Sequence, residues 1–142
     1  MSLAIRSATG DDAEAVIALW NRCGLTRPWN DPWADYSRAL EGPTSAVLAG
    51  EEAGTLVATL MVGFDGHRGW LYYLGVAPDR QRRGFGRSMI EAACSWLRER
   101  GCPKVELMVR EGNPAAALYE HLGWDRQEVQ TYALRLDDHR SA

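Results

Sequence analysis

At 142 residues the chain has the length of one domain and can bury a core, so we expect a single domain over residues 1–142, with a loose tail at 138–142. The 46% hydrophobic and 25% charged residues are ordinary for a globular protein, and a net charge of -3 argues against a general nucleic-acid binder. No apolar run has membrane-spanning length, no signal peptide opens the chain, and three cysteines without metal-ligand spacing predict a cytoplasmic protein with free thiols and no metal site.

The hydrophobic pattern predicts a strand, two helices, three strands, and then a helix, a strand, a helix and a last strand. Predicted strands cover residues 4–8, 45–49, 56–64, 70–76, 104–109 and 128–136. The first helix is opened by a capping box at Thr9 and Asp12, and the later ones cover residues 32–40, 88–100 and 114–122. This order predicts an α/β fold with helices on both faces of a mixed sheet.

A basic, glycine-rich loop separates the aromatic strand at 70–76 from the following helix. The first N–H groups of a helix are unpaired and attract anions, and glycine lets a phosphate approach the backbone closely. The P-loop and dinucleotide spacings are both absent, since no Lys-Ser or Lys-Thr follows and Met89 occupies the third glycine position. The sequence therefore predicts phosphate contacts, mainly through the backbone, at Gln81, Arg82, Arg83, Gly84, Gly86, Arg87 and Ser88.

Two motifs carry a family resemblance. Gln81, Gly84 and Gly86 fit the pattern Q/R-x-x-G-x-G, and this loop resembles the acetyl-CoA pyrophosphate loop of the GNAT N-acetyltransferases. Asn113, followed by small residues, Leu118-Tyr119 and a closing Gly-Trp, is similar to the family's second signature, with tryptophan in place of the usual phenylalanine. The resemblance implies the GNAT fold with six to seven strands and acetyl-CoA as cofactor; several segments also resemble the YpeA-type bacterial subgroup.

The resemblance further implies roles for individual residues. Cofactor contacts are expected at Leu74, Val76, Asn113 and Tyr119, in addition to the loop. The Val76 N–H, beside a bulge in the central strand, is expected to bind the thioester oxygen as it gains charge. Tyr119 is expected to protonate the departing thiolate, although a tyrosine that merely covers the helix face would fit the same pattern.

The sequence does not assign the general base to one residue. The strand at 70–76 carries no carboxylate, which departs from some members of the family. Asp65 and His67 in the preceding turn are candidates, as are Tyr72 or Tyr73 acting through water. Each of them also fits a purely structural role in a turn or in packing.

In the family, the segment after the first helix and the turn before the central strand usually line the acceptor side. The corresponding candidate acceptor-binding residues are Arg27, Trp29, Asp31, Asp65, His67 and Tyr72. Trp29 could equally fill the core beneath its proline-rich loop.

We therefore predict an acetyl-CoA-dependent N-acetyltransferase that acts on a primary amine of a small molecule or a protein. The alternative hypothesis is a non-catalytic acyl-CoA-binding sensor, which the missing strand carboxylate would favour. An NAD- or ATP-binding domain is disfavoured by the failed fingerprints. The expected partners are an amine or peptide acceptor, neither nucleic acid nor membrane, and a homodimer is compatible with the family.

Overall fold

A five-stranded sheet in the order β1-β2-β3-β4-β5 organises the chain. The protein is described by a computed structural model over residues 2–137. Its strands are β1 (Ala4–Ser7), β2 (Ser45–Glu52), β3 (Thr55–Phe64), β4 (Gly69–Val76) and β5 (Val105–Leu107). Its helices are α1 (Ala13–Arg22), α2 (Pro32–Glu41), α3 (Phe85–Glu99) and α4 (Ala115–His121). The first four strands are antiparallel neighbours.

The chain divides into two compact units at the boundary between Glu106 and Leu107. The first unit holds the antiparallel strands, helices α1 to α3 and the start of β5. The second unit holds the end of β5, helix α4 and the residues that follow it. The predicted tail at 138–142 lies outside the described residues.

Local sequence signals place the helix starts. The Thr9 backbone N–H donates to Asp12 Oδ2 at 2.8 Å and Thr9 Oγ1 accepts from the Asp11 N–H at 3.3 Å, so the predicted capping box forms and leads into α1. Asp31 Oδ1 accepts from the backbone N–H groups of Trp33 and Ala34, and Pro32 occupies the first turn of α2. Helix α2 therefore begins where the sequence predicts, whereas the capping box at Thr9 opens a 3-10 turn over Gly10–Asp12 and α1 itself begins at Ala13.

Helices cover both faces of the sheet. On one face, Val16 and Trp20 of α1 and Tyr36 of α2 are buried against Val47 of β2. On the other face α3 lies so close that a Cβ on Gly50 would stand 2.9 Å from Met89 Sδ. Because alternate strand residues point to opposite faces, these contacts confirm the predicted α/β layer arrangement.

The strand count departs from the predicted six to seven, because the described residues contain five strands. Residues 128–136 alternate in polarity as a strand would, yet they adopt no regular structure. Val129, Tyr132 and Leu134 are 74%, 87% and 84% exposed. Alternation specifies a strand only where a neighbouring strand pairs with the backbone and a core covers one face, and the pattern alone supplies neither condition.

Candidate active site

Strand β4 contains a bulge at its centre. Gly75 pairs with Thr59 of β3 and Tyr72 pairs with Met61, so Tyr73 and Leu74 together stand opposite the single residue between those partners. Tyr73 has a φ of 54°, in the left-handed region that a tyrosine rarely adopts. A two-against-one bulge bends its strand and disrupts the regular ladder, which changes the direction of the adjacent backbone groups. The bulge lies in the strand where the sequence analysis expects one.

The Val76 peptide lies just after this bulge. The Ala77 N–H donates to Val57 O in β3 at 2.8 Å, and the direction of N–H groups alternates along a strand, so the Val76 N–H points away from β3. The Val76 carbonyl accepts from Gln81 Nε2 at 3.3 Å and from Cys23 Sγ at 3.4 Å. These two hydrogen bonds fix the orientation of the Val76 carbonyl group.

The basic loop turns sharply into α3. Arg82 and Gly84 both have positive φ, at 66° and 80°, and a Cβ on Gly84 would meet nothing within 4 Å. The helix begins at Phe85, three residues before the predicted start at Ser88. Phe85 and the two residues after it therefore present the first N–H groups of the helix beside an open backbone.

Both hydrogen-bond donors of Ser88 are engaged in the first turn of α3. Its backbone N–H donates to Gly84 O at 3.0 Å and its hydroxyl donates to the same oxygen at 3.1 Å. Ser88 is among the predicted phosphate contacts and Phe85 is not, because the predicted helix start at Ser88 is three residues too late. An aromatic residue between two glycines gave no signal that it opens the helix, although Gly84 in a left-handed conformation is a common helix boundary.

The four loop arginines are not equivalent. Glu52 at the end of β2 is 7% exposed and accepts from Arg80 Nε and from Arg83 Nη1, each at 2.8 Å. The hydrogen bond that Arg80 donates to Glu52 raises the pKa of the Arg80 guanidinium above its usual value. Arg87 pairs with Glu91 on the exposed face of α3. Within the described part of the chain, Arg82 is exposed and makes no ion pair.

Glu52 is a residue that the sequence analysis missed. The sequence predicts a hairpin turn over residues 51–54, whereas β2 continues through Glu52 and only Ala53 and Gly54 form the turn. Both turn residues have positive φ, as a two-residue type I′ turn requires. The four arginines of the basic loop could have indicated a buried carboxylate partner, because a cluster of positive charges needs a counter-charge in the fold.

The second motif lies in the second unit and is ordered by local contacts. Asn113 Oδ1 accepts from the Ala115 N–H at 2.9 Å, which helps to start α4. The Tyr119 ring packs against Trp124 with ring centroids 5.6 Å apart. Burial raises the pKa of the Tyr119 phenol, which keeps the hydroxyl protonated.

The side chains of Arg27, Asp31 and Asp65, all candidate acceptor residues, make hydrogen bonds within their own segments. Arg27 Nη1 donates to Gly24 O and Thr26 O, and Asp31 caps α2. Asp65 Oδ1 accepts from two backbone N–H groups of its own turn, those of His67 and Arg68, each at 2.8 Å. These backbone bonds hold the pKa of the Asp65 carboxyl below its usual value.

The remaining three candidates differ in their surroundings. Trp29 lies in the segment before α2, His67 is exposed in the β3–β4 turn, and Tyr72 is 43% exposed on β4. Burial of part of the ring raises the pKa of the Tyr72 phenol. Tyr72 is thus the candidate that stands directly beside the bulge.

A second contact that the sequence did not reveal joins α2 to the bulge. The Tyr73 hydroxyl donates to Asp35 Oδ2 at 2.7 Å, and Asp35 Oδ1 accepts from Arg38 Nη2 at 2.7 Å. Burial and the adjacent Asp35 carboxylate raise the pKa of Tyr73. The Tyr73 ring also stacks on Trp20 at 3.8 Å. A carboxylate absent from β4 is therefore supplied beside it by α2.

Across residues 2–137, no group of three or more histidine, cysteine, aspartate or glutamate side chains could hold a metal ion. In the same part of the chain, no helix combines the length and the apolar character needed to cross a membrane.

The geometry of strand, bulge, loop and helix can be compared with known proteins. A family model described as "Acetyltransferase (GNAT) family" matches residues 10–124. The chain belongs to this family. A protein of Pectobacterium atrosepticum named as an acetyltransferase is 46% identical over 137 residues, covering 96% of this chain and 97% of the relative. An acetyltransferase of Yersinia pestis is also 46% identical, over 133 residues.

Solved structures show the same fold. The aminoglycoside acetyltransferase AAC(6')-Iy, in complex with a CoA-containing bisubstrate analogue, has a TM-score of 0.81 at 19% identity and covers 95% of this chain and 99% of its own. An aminoglycoside acetyltransferase from a soil metagenome is 26% identical, with a TM-score of 0.75 over 96% of this chain and 100% of its own. The predicted GNAT fold and the predicted N-acetyltransferase activity of the family are confirmed.

Proposed function

We propose that this GNAT protein transfers an acetyl group from acetyl-CoA to a primary amine. The observation that carries the proposal is the continuous arrangement of the β4 bulge, the Val76 peptide and the glycine-rich turn into α3. An N–H that points away from its neighbouring strand stands next to a positively charged helix start. Such an arrangement suits a thioester carbonyl and a diphosphate on the same ligand.

At the phosphate end of the proposed site, the protein's hydrogen-bond donors suit the diphosphate of CoA. The first N–H groups of α3, at Phe85, Gly86 and Arg87, are proposed to bind the diphosphate, and the open space at Gly84 leaves room for it. Arg82 is exposed and available for a phosphate oxygen. The pair between Arg87 and Glu91 is more than 60% exposed on both sides, so it can exchange for a ligand at little cost.

The proposed reaction follows from these groups. The amine nitrogen attacks the thioester carbonyl, the C–N bond forms and the C–S bond breaks. The nitrogen releases one N–H proton to solvent water, and Tyr119 regains a proton from solvent after it has protonated the thiolate. The Val76 N–H is proposed to bind the oxygen while it carries negative charge, and Gln81 and Cys23 hold the next peptide along the chain by its Val76 carbonyl. Tyr119 is proposed to give its proton to the thiolate; its raised pKa keeps it in the acid form that this step needs.

The acceptor is proposed to be an amine of a small molecule or a peptide. Similar folds include aminoglycoside acetyltransferases and a ribosomal-protein-alanine N-acetyltransferase from Brucella melitensis. Tyr72 beside the bulge and the Tyr73–Asp35 contact from α2 are proposed to face this acceptor. A partly exposed carboxylate and aromatic rings suit a cationic amine.

Binding of the proposed donor can be tested by calorimetric titration of the purified protein with CoA, NAD and ATP in parallel. We expect saturable binding of CoA with one site per chain, and at least about tenfold weaker binding of the two nucleotides, because the P-loop and dinucleotide spacings are missing. Binding of NAD or ATP as tight as that of CoA would contradict the proposal.

A further inference from the structure

Glu52 connects the β2–β3 hairpin to the basic loop. It is a buried charged residue at the end of β2, and each carboxylate oxygen accepts from a different arginine. Arg80 lies before the glycine-rich turn and Arg83 lies immediately ahead of Gly84. The two ion pairs therefore hold the loop on both sides of Gln81 and Arg82.

The energetics favour a fixed loop. A buried carboxylate is costly unless it is paired and hydrogen-bonded, so Glu52 keeps both arginines as long as the hairpin is folded. Charge-assisted hydrogen bonds of this kind are stronger than neutral ones and restrict direction. Without Glu52, four arginines within eight residues would repel one another and favour a more open loop.

We propose that Glu52 is a positioning residue that holds the basic loop in its ligand-binding shape before the ligand arrives. This inference rests on the proposed binding of CoA by the same loop. Arg80 and Arg83 are then engaged by the protein, and the open backbone from Gly84 onward is left for the diphosphate. Preorganisation of this kind strengthens binding because less order must be created when the ligand binds.

Simple electrostatics makes the opposite prediction. A carboxylate close to a phosphate site repels the ligand, so its neutralisation alone should strengthen the binding of CoA. The positioning role requires that neutralisation weakens it. The sign of the change therefore separates the two explanations.

The test compares Glu52→Gln with Glu51→Gln, by calorimetry with CoA and by steady-state kinetics. Glu51 is the neighbouring residue in β2 and pairs with Arg6 at 3.0 Å, so its variant makes the same change in net charge away from the loop. We expect Glu52→Gln to weaken CoA binding and to raise the KM for acetyl-CoA by about tenfold, with kcat within about twofold. Glu51→Gln should change both values by less than about twofold.

A second variant keeps the carboxylate charge at position 52 but shortens the side chain. Glu52→Asp is one methylene shorter, so it cannot hold both arginines in the same geometry, and we expect weaker CoA binding here too. If Glu52→Gln does not fold, Glu52→Asp decides the question by the same titration. Unchanged or tighter binding in the folded variants, or an equal loss in Glu51→Gln, would overturn the positioning role. Failure of the wild-type protein to bind CoA would instead overturn the proposed function.

Discussion

Tyr73 occupies a backbone conformation that normally costs a tyrosine about 1–3 kcal/mol. Its side chain is held by the stacked Trp20 ring and by the hydrogen bond to Asp35. These two contacts offset the strain and keep the bulge in β4. The residue thus links the backbone geometry beside Val76 to the helix α2.

Replacement of Tyr73 by phenylalanine keeps the stacking and removes the hydroxyl. We expect the free energy of unfolding to fall by about 1–2 kcal/mol, because the Asp35 carboxylate loses a charge-assisted partner. Urea unfolding measures the change. Tyr72→Phe is the matched control, since Tyr72 is adjacent and 43% exposed, and it should stay within about 0.5 kcal/mol of the wild type. Equal effects of the two variants would show that the Asp35 contact contributes nothing.

The proposed acid Tyr119 is tested by Tyr119→Phe. We expect kcat to fall by about 100-fold or more while the Kd for CoA changes less than about twofold, because the hydroxyl acts only as the thiolate forms. Tyr132→Phe is the control, because Tyr132 lies in the same unit and is 87% exposed. A wild-type kcat in Tyr119→Phe would contradict the catalytic role.

The pH profile gives a second measure of the same residue. The acid form of Tyr119 is lost as pH rises through its pKa, and burial raises that pKa above the ordinary value of about 10. The wild-type kcat should therefore show no loss from this group below about pH 10. A decrease in kcat near neutral pH that is absent in Tyr119→Phe would contradict the assignment.

At the scale of elements, the placement of α3 depends on close contact with the sheet. A Cβ on Gly69, at the start of β4, would stand 2.6 Å from Leu97 Cδ1 and 2.8 Å from Leu97 Cδ2. Leu97 is buried and has little room to move. The helix whose first turn is proposed to bind phosphate is therefore packed tightly against the start of β4 near its C-terminal end.

Gly69→Ala tests this contact. We expect a loss of about 1–3 kcal/mol in the free energy of unfolding, because the added methyl group overpacks the interface between α3 and the sheet. Gly63→Ala is the control: a Cβ there would meet Ser45 Cβ at an ordinary 3.7 Å. Thermal or urea unfolding of both variants measures the difference. A loss in Gly63→Ala as large as that in Gly69→Ala would contradict the packing argument.

For the molecule as a whole, the sequence predicted most of what local signals control. Caps, turn residues and hydrophobic periodicity located four helices and five strands, because each depends on neighbours in the chain. The two motifs led to the family that the comparison establishes. The strand at 128–136 was predicted wrongly, because its existence depends on a partner strand that no local pattern specifies.

The contacts that shape the site were mostly beyond sequence reasoning. Glu52 meets Arg80 and Arg83 across 28 and 31 residues, and Asp35 meets Tyr73 across 38. Such pairs are fixed by how strands and helices come together, which a single sequence does not encode as a pattern. Asp65 shows the reverse case: a residue that suits catalysis by its chemistry is engaged by its own turn.

The central claim is that this chain moves an acetyl group from acetyl-CoA to an amine. The most direct measurement is release of free thiol from acetyl-CoA in the presence of aminoglycosides, amino acids, polyamines and N-terminal peptides, with mass spectrometry of each acceptor. The account predicts turnover above the hydrolysis background with at least one amine, which gains one acetyl group. Tight binding of CoA with no acetylated product from any acceptor class would contradict it and would favour an acyl-CoA sensor.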